Sequence, residues 1–145
     1  MDTITRSTAA KFDYILVNRT GGILEREPVD IYANPTFLPE AIAADYDKLW
    51  TEERMKLVIG AAVKNSVAIE IDNRYKLPGA VFIKMAKDAG CRLTFGSNNG
   101  TANDLGRCEY GIQMVDECKL GSQQFWVPGA LGPNAVERKG GMLKA

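Results

Sequence analysis

Residues 51–95 read TEERMKLVIGAAVKNSVAIEIDNRYKLPGAVFIKMAKDAGCRLTF, and their pattern decides the fold. Thr51 predicts a helix N-cap, and the apolar residues after it recur every three or four positions, which is typical of a helix with one buried face. Val67 to Ile71 is a nearly continuous apolar run, as expected of a strand buried on both faces. A second amphipathic helix and a strand from Cys91 to Phe95 follow, so the segment predicts βα units in a parallel sheet.

The boundaries of the next two helices are predicted from residues that favour the beginning or the end of a helix. Pro78 is a favourable first residue of the helix before Cys91, and Gly90 is expected to end that helix. Asn103 or Asp104 is expected to cap the following helix. The buried stripe of that helix is predicted to contain Leu105, Cys108, Ile112 and Val115.

Three further segments have the composition of strands: Phe12–Asn18, Val29–Ala33 and Gln124–Val127. Thr20-Gly21-Gly22 is predicted to end the first, and Asn34-Pro35 the second, because proline disfavours helical geometry at the residue before it. We therefore expect one α/β domain over residues 12–128, with a parallel sheet of about four to five strands and flanking helices. Residues 1–11 and 129–145 are predicted to be tails.

Composition excludes several classes of function. The 145 residues include 46% hydrophobic and 25% charged residues, which is usual for one soluble domain. Eighteen basic residues balance eighteen acidic ones, so neither nucleic acid nor an anionic membrane is expected as a partner. No apolar run reaches the length of a membrane span, and Met1–Lys11 lacks the pattern of a signal peptide, so we expect a cytoplasmic protein.

The chain contains no histidine, which excludes a Ser-His-Asp triad, a Cys-His pair and a zincin helix. Cys91, Cys108 and Cys118 are odd in number and have no short repeated spacing. They are therefore predicted to be reduced, buried thiols rather than disulfides or zinc ligands.

Polar residues follow the predicted strands at Asn34, at Glu70 with Arg74, and at Ser97, Asn98 and Asn99. The carboxyl ends of parallel strands meet at one edge of a sheet, so these side chains predict a shared polar pocket. Other interpretations stay open. Glu70 can pair with Arg74 or Lys84, Asn34 can cap its strand, and Ser97–Thr101 can be a plain turn.

Several segments resemble the polymerase-and-histidinol-phosphatase (PHP) family over about Pro28 to Pro128, in the order of the second half of that fold. They are Asp30-Ile31-Tyr32-Ala33-Asn34-Pro35-Thr36, Ala68-Ile69-Glu70-Ile71-Asp72, Ala86-Lys87-Asp88-Ala89-Gly90, Phe95-Gly96-Ser97 and Asn103-Asp104-Leu105-Gly106. The resemblance implies the carboxyl-terminal half of a TIM-like (β/α) barrel. Typical members hold metal ions at the carboxyl ends of the strands and hydrolyse phosphate esters.

The departures from the family pattern concern the metal ligands. The resemblance places Glu70 at the metal-bridging glutamate, but Asn34 and Gly100 stand where the family has histidines, and Asn98 where it has aspartate. An amide oxygen is a weak ligand for zinc or iron, and glycine offers no side-chain ligand. The resemblance thus implies a catalytically degenerate domain without a cofactor. Its role would be to bind a small polar or anionic ligand through Asn34, Arg74, Ser97, Asn98 and Asn99, or to act in assembly.

The alternative is a metal-dependent hydrolase of this family, or a fragment of one, with a retuned site. Glu70 would act as the general base, and Mg²⁺ or Mn²⁺ would bind through oxygen atoms. A closed barrel needs roughly 200 residues, and an open half-barrel leaves two unpaired sheet edges. We therefore expect the chain to pair with itself or with a complementary half-barrel chain.

Overall fold

The computed structural model describes residues 17–128, which form helices and three short strands. The helices are α1 (Arg19–Arg26), α2 (Glu40–Ala43), α3 (Tyr46–Leu49), α4 (Glu52–Lys64), α5 (Ala80–Asp88) and α6 (Glu109–Cys118). The strands are β1 (Ile31–Tyr32), β2 (Ala68–Asp72) and β3 (Leu93–Gly96), and short 3₁₀ turns lie at Ala102–Asp104 and Ser122–Gln124. No helix within the described range is long and apolar enough to cross a membrane.

The three strands form one parallel sheet in the order β1-β2-β3. Ile31 lies opposite Ala68, and Asp72 lies opposite Gly96. Parallel neighbours need a crossover connection, which α4 provides between β1 and β2 and α5 between β2 and β3. The predicted α/β class and parallel sheet are confirmed.

The sheet of residues 17–128 has three strands, fewer than predicted. Where a strand was expected at 124–127, Phe125 forms only an isolated parallel bridge to Leu93, and the Trp126 N–H donates to the Leu93 carbonyl at 2.8 Å. The Ser122–Gln124 turn leaves too few extended residues before Pro128 for a longer ladder.

The predicted break at Thr20-Gly21-Gly22 is wrong, because these residues lie inside α1. Leu24 is buried, and α1 packs against α4. This tertiary packing overrides the weak helix propensity of the two glycines. Of the strand predicted at Phe12–Asn18, residues 12–16 lie outside the described range, while Val17 and Asn18 are helical.

The boundaries of α4 and α5 agree with prediction in two places and differ in one. The hydroxyl of Thr51 accepts a hydrogen bond from the Arg54 N–H at 3.5 Å, so the predicted N-cap of α4 is confirmed. Gly90, at φ +78°, follows the end of α5 as predicted. The prediction that Pro78 begins α5 is wrong, because Gly79 is the N-cap and Pro78 lies before it.

Helix α6 begins at Glu109, several residues later than predicted, with Cys108 as its N-cap. Leu105 is 70% exposed and Ile112 is 57% exposed, so the predicted buried stripe is wrong at these two positions. Val115 packs against the core as predicted, and Cys108 is half-buried. The buried residues of the helix are Gly111, Met114 and Cys118. The start of α6 is fixed by a distant residue, because Asn73 Oδ1 accepts a hydrogen bond from the Tyr110 N–H at 2.8 Å.

The two faces of the sheet differ in chemistry. Side chains alternate along a strand, so Ile69 and Ile71 share one face of β2, where they belong to the apolar core that the helices complete. Ala68, Glu70 and Asp72 share the opposite face, together with Gly96 of β3. This second face carries the polar groups of the candidate site.

The three cysteines are free thiols. Cys91 and Cys118 are buried, as predicted, and Cys108 is half-buried. Burial raises the pKa of the Cys91 thiol to about 11, so this side chain stays protonated and unreactive near neutral pH.

Candidate functional site

Three polar residues meet at the carboxyl edge of the sheet, each supplied by a different strand or by the loop after it. The backbone N–H of Asn34, beyond β1, donates to Glu70 Oε2 of β2 at 2.8 Å. The side-chain amide of Asn98, beyond β3, donates to Asn34 Oδ1 at 2.9 Å. The structure therefore brings together three of the residues that the sequence assigned to one pocket, because parallel strands end at the same edge. We call Asn34, Glu70 and Asn98 the amide–carboxylate cluster.

The missing side chain of Gly96 on β3 leaves the space that the Glu70 carboxylate occupies. A Cβ atom built on Gly96 would overlap the Glu70 carboxylate, so the side chain lies directly across the glycine backbone. Glu70 is half-buried, and among residues 17–128 it forms no ion pair with Arg74 or Lys84. Its carboxylate accepts a hydrogen bond from the Asn34 backbone instead.

The backbone conformation at both asparagines of the cluster also favours asparagine over most other residues. Asn34 has φ +48° and Asn98 has φ +45°, which is the left-handed region that asparagine enters more readily than most residues. The turn interpretation and the pocket interpretation are thus compatible. Each loop uses asparagine to reverse its direction, and the same side chain then points to its neighbour.

The loop that carries Asn34 is anchored by a buried threonine. Thr36 is 1% exposed and has φ +66°, an unfavourable conformation for a β-branched residue. Tyr46 Oη donates to Thr36 Oγ1 at 2.7 Å, and Trp50 Nε1 donates to the Thr36 carbonyl at 2.9 Å. Burial raises the pKa of Tyr46, so it remains a neutral donor. These contacts were not predicted from the sequence.

A cleft of about 370 Å³ adjoins the amide–carboxylate cluster. It is lined by Asn73, Arg74, Ser97, Asn98, Asp104 and Arg107. Ser97 and Asn99 form a weak mutual hydrogen bond of 3.4 Å on the exposed side of the loop, so Asn99 lies at the periphery rather than in the cluster. A second cavity, of about 230 Å³, lies beside Val67 and Cys91, away from these groups.

The charged groups of the cleft differ in the hydrogen bonds and ion pairs that they form. Arg107 Nε pairs with Glu109 at 2.8 Å, and the Thr101 hydroxyl lowers the pKa of Asp104 by hydrogen bonding to it. Arg74 has no hydrogen bond or ion pair within residues 17–128. Its guanidinium lies 5.7 Å from the centre of the Tyr75 ring and packs against Gly100, where a Cβ atom would be 3.0 Å from Nη1.

Asp72 is a polar residue to which the sequence assigned no role. It is fully buried, and its Oδ1 accepts a hydrogen bond from the Tyr75 N–H at 2.6 Å. Its Oδ2 is buried without a partner in the described part of the chain. The alternation in Ala68–Asp72 puts Asp72 on the same face of β2 as Glu70.

The residues present do not fit the metal centre that the family resemblance implies. No group of three or more cysteine, aspartate or glutamate side chains in residues 17–128 is placed to hold a metal ion. Within the cluster, Asn34 Oδ1 is engaged with Asn98, and Glu70 is the one carboxylate.

No protein-family model, curated protein or solved structure matches the chain. The resemblance to the PHP family thus depends on the sequence segments themselves. In the structure, hydrogen bonds join Asn34, Glu70 and Asn98, which lie in or beside three of those segments.

Proposed function

We propose that this chain is a PHP-like domain whose inherited metal-dependent hydrolysis has degenerated, and that it binds a small polar or anionic ligand at the carboxyl edge of its sheet. The observation that supports the proposal is the hydrogen-bonded amide–carboxylate cluster of Asn34, Glu70 and Asn98. Amides donate and accept hydrogen bonds but are poor ligands for transition metals. A cluster of this kind suits recognition better than metal catalysis.

The charges around the cluster favour a ligand with an anionic group. Arg74 and Asn98 both line the cleft, and no carboxylate among residues 17–128 forms an ion pair with Arg74, although Asp104 lines the same cleft. A guanidinium binds carboxylate or phosphate groups through paired hydrogen bonds. Glu70, which is linked to Asn98 through Asn34, would accept a hydrogen bond from a hydroxyl or amino group of the same ligand.

We further propose that the parallel sheet is part of a half-barrel whose Glu70 face would line the barrel interior. Support comes from the parallel order β1-β2-β3 and from the apolar core on the opposite face. Such a sheet leaves an edge open for pairing. The partner would be a second copy or a complementary half-barrel chain. Sedimentation of a compact monomer at all concentrations would exclude the second copy.

Amide NMR spectra of the labelled protein test the binding proposal. We expect inorganic phosphate or acetate to shift the resonances of Asn34, Glu70 and Asn98 saturably, and Asn98→Ala to abolish the shifts. Asn65→Ala is the matched control, because the Asn65 side chain caps α4 at the Ala61 carbonyl, 2.9 Å away. Absence of saturable shifts with either anion would overturn the proposal. So would a stoichiometric transition metal in the purified protein.

A second candidate function is a hydrolase with a retuned site, with Glu70 as general base. The observation that favours it is the buried Oδ2 of Asp72, which has no partner among residues 17–128 and lies on the same strand face. A buried carboxylate oxygen without a partner is costly and is often retained for a functional reason. Hydrolysis of an aryl phosphate in Mg²⁺ or Mn²⁺, abolished by Glu70→Gln, would favour this candidate over the first.

A further inference from the structure

Two exposed aromatic rings pair beside the cleft. The ring centroids of Phe37 and Tyr75 are 4.8 Å apart with an interplanar angle of 51°, yet Phe37 is 41% exposed and Tyr75 is 44% exposed. Each belongs to a loop of the candidate site. The Phe37 N–H donates to the Asn34 carbonyl at 3.2 Å, and Tyr75 directly follows Arg74.

The fold does not need the exposed ring of Tyr75 to hold its loop. The Tyr75 N–H is fixed to Asp72 Oδ1, so a backbone bond already sets the turn. In the part of the chain that the structure describes, neither ring belongs to the apolar core or to the residues packed against it. Isolated apolar side chains on a surface are ordinary, whereas these two rings contact each other and one of them adjoins Arg74 of the cleft.

A cationic group adjoins this aromatic pair. The Arg74 guanidinium lies 5.7 Å from the Tyr75 ring centre and also lines the cleft with Asn98. The three loops after β1, β2 and β3 thus present aromatic, cationic and amide groups side by side. The two rings lie outside the lining of the cleft, so a ligand that contacts all of these groups needs a planar ring joined to an anionic group.

We propose that Phe37 and Tyr75 form a stacking platform for a planar ring, and that Arg74 binds an anionic group on the same ligand. The ligand class is then an aromatic anion. Aromatic side chains stack on planar rings with little dependence on ring identity, while the guanidinium binds carboxylate or phosphate. This inference rests on the proposed function for the location of the site and adds the class of ligand.

Four probes separate the contribution of the ring from that of the charge: benzoate, cyclohexanecarboxylate, benzyl alcohol and acetate. We expect benzoate to bind about fivefold or more tightly than cyclohexanecarboxylate, which has the same charge but no planar ring. Tyr75→Leu and Phe37→Leu should remove this preference and leave acetate binding unchanged. Arg74→Met should weaken benzoate and acetate together and spare benzyl alcohol.

Two control variants match these substitutions. Phe95→Leu changes another exposed aromatic of a ring pair, with Phe125, on the opposite face of the sheet. Arg19→Met removes an exposed arginine of α1. Neither should alter the affinity of any probe, and thermal unfolding checks that every variant is folded.

The outcomes distinguish the two proposals. Equal affinity for benzoate and cyclohexanecarboxylate, with anion binding still lost in Asn98→Ala, would overturn the aromatic platform and keep the proposed function. No binding of any anion would overturn both. Self-association that is lost in Tyr75→Leu and Phe37→Leu, without a benzoate preference, would assign the rings to contact between copies and overturn the platform.

Discussion

The side-chain amide of Asn98 donates a hydrogen bond to Asn34 Oδ1 at 2.9 Å, although 64 positions separate the two residues in the chain. Both residues have positive φ, so each loop must bend sharply for the contact to form. The bond therefore joins the loop after β1 to the loop after β3, across the end of β2. The candidate site therefore depends on all three strands and not on a single loop.

Substitutions at Asn98 should separate the hydrogen bond from the backbone conformation. Asn98→Gly removes the bond but tolerates φ +45°, so we expect a loss of about 1 kcal/mol in the free energy of unfolding. Asn98→Ala adds left-handed strain and should cost about 1 kcal/mol more. Urea denaturation of both variants measures the difference. Equal stability would contradict a strained left-handed position.

Gly96→Ala should test how Glu70 is positioned. The new methyl group would overlap the Glu70 carboxylate, so we expect a destabilisation of about 2 kcal/mol. In a Glu70→Ala background the obstruction is gone, and the cost of the same substitution should fall to near zero. A double-mutant cycle from urea denaturation gives the coupling. Additive effects would show that Gly96 is required for another reason.

The start of α6 should depend on the side chain of Asn73. Asn73→Ala removes the acceptor for the Tyr110 N–H and should cost about 1 kcal/mol. Asn73→Asp keeps an acceptor for this N–H but loses the amide that hydrogen-bonds to the Glu109 carboxylate, so it should protect Tyr110 without stabilising the fold. Amide hydrogen exchange at Tyr110 reports the effect locally. Equal protection of Tyr110 in both variants would contradict this cap.

These relationships explain which parts of the fold were predictable. The segments α4, β2 and β3 follow local patterns, namely a capping threonine and apolar residues at helical or continuous spacing. The start of α6 was not predictable, because its cap Asn73 is 37 positions away from Tyr110. Helix α1 was missed because its glycines argue against a helix, while packing against α4 favours one.

The candidate site was predictable to a similar degree. Asn34, Glu70 and Asn98 were assigned to one pocket because parallel strands end at one edge, and hydrogen bonds join them there. The unpartnered oxygen of Asp72 and the exposure of Tyr75 depend on how the loops pack. No local pattern in the sequence reports either property.

Stability should fall in alkali through the Cys91 thiol. Burial raises its pKa from 9.0 to about 11, so the folded state holds this proton more tightly than the unfolded state. The stabilisation that comes from this difference in pKa is complete below pH 9 and is lost as the pH rises towards 11. Cys91→Ala should therefore flatten the decline over this window under reducing conditions, whatever its effect at neutral pH. Urea denaturation from pH 8 to 11 measures the slope, and an unchanged slope would contradict the assignment.

Asp72→Asn should discriminate between the two candidate functions. The substitution keeps an oxygen that can accept from the Tyr75 N–H and removes the negative charge from the unpartnered position. For a binding domain, we expect the folded state and the anion affinity to be retained, because Asp72 lies outside the lining of the cleft. For a hydrolase, the turnover of an aryl phosphate should be lost while the fold is kept.

Far-ultraviolet circular dichroism controls for folding of Asp72→Asn, and parallel measurements of acetate affinity and phosphate release decide between the two candidate functions. A folded Asp72→Asn protein that loses acetate binding would contradict a site bounded by the cleft lining, because the buried carboxylate would then support the ligand directly.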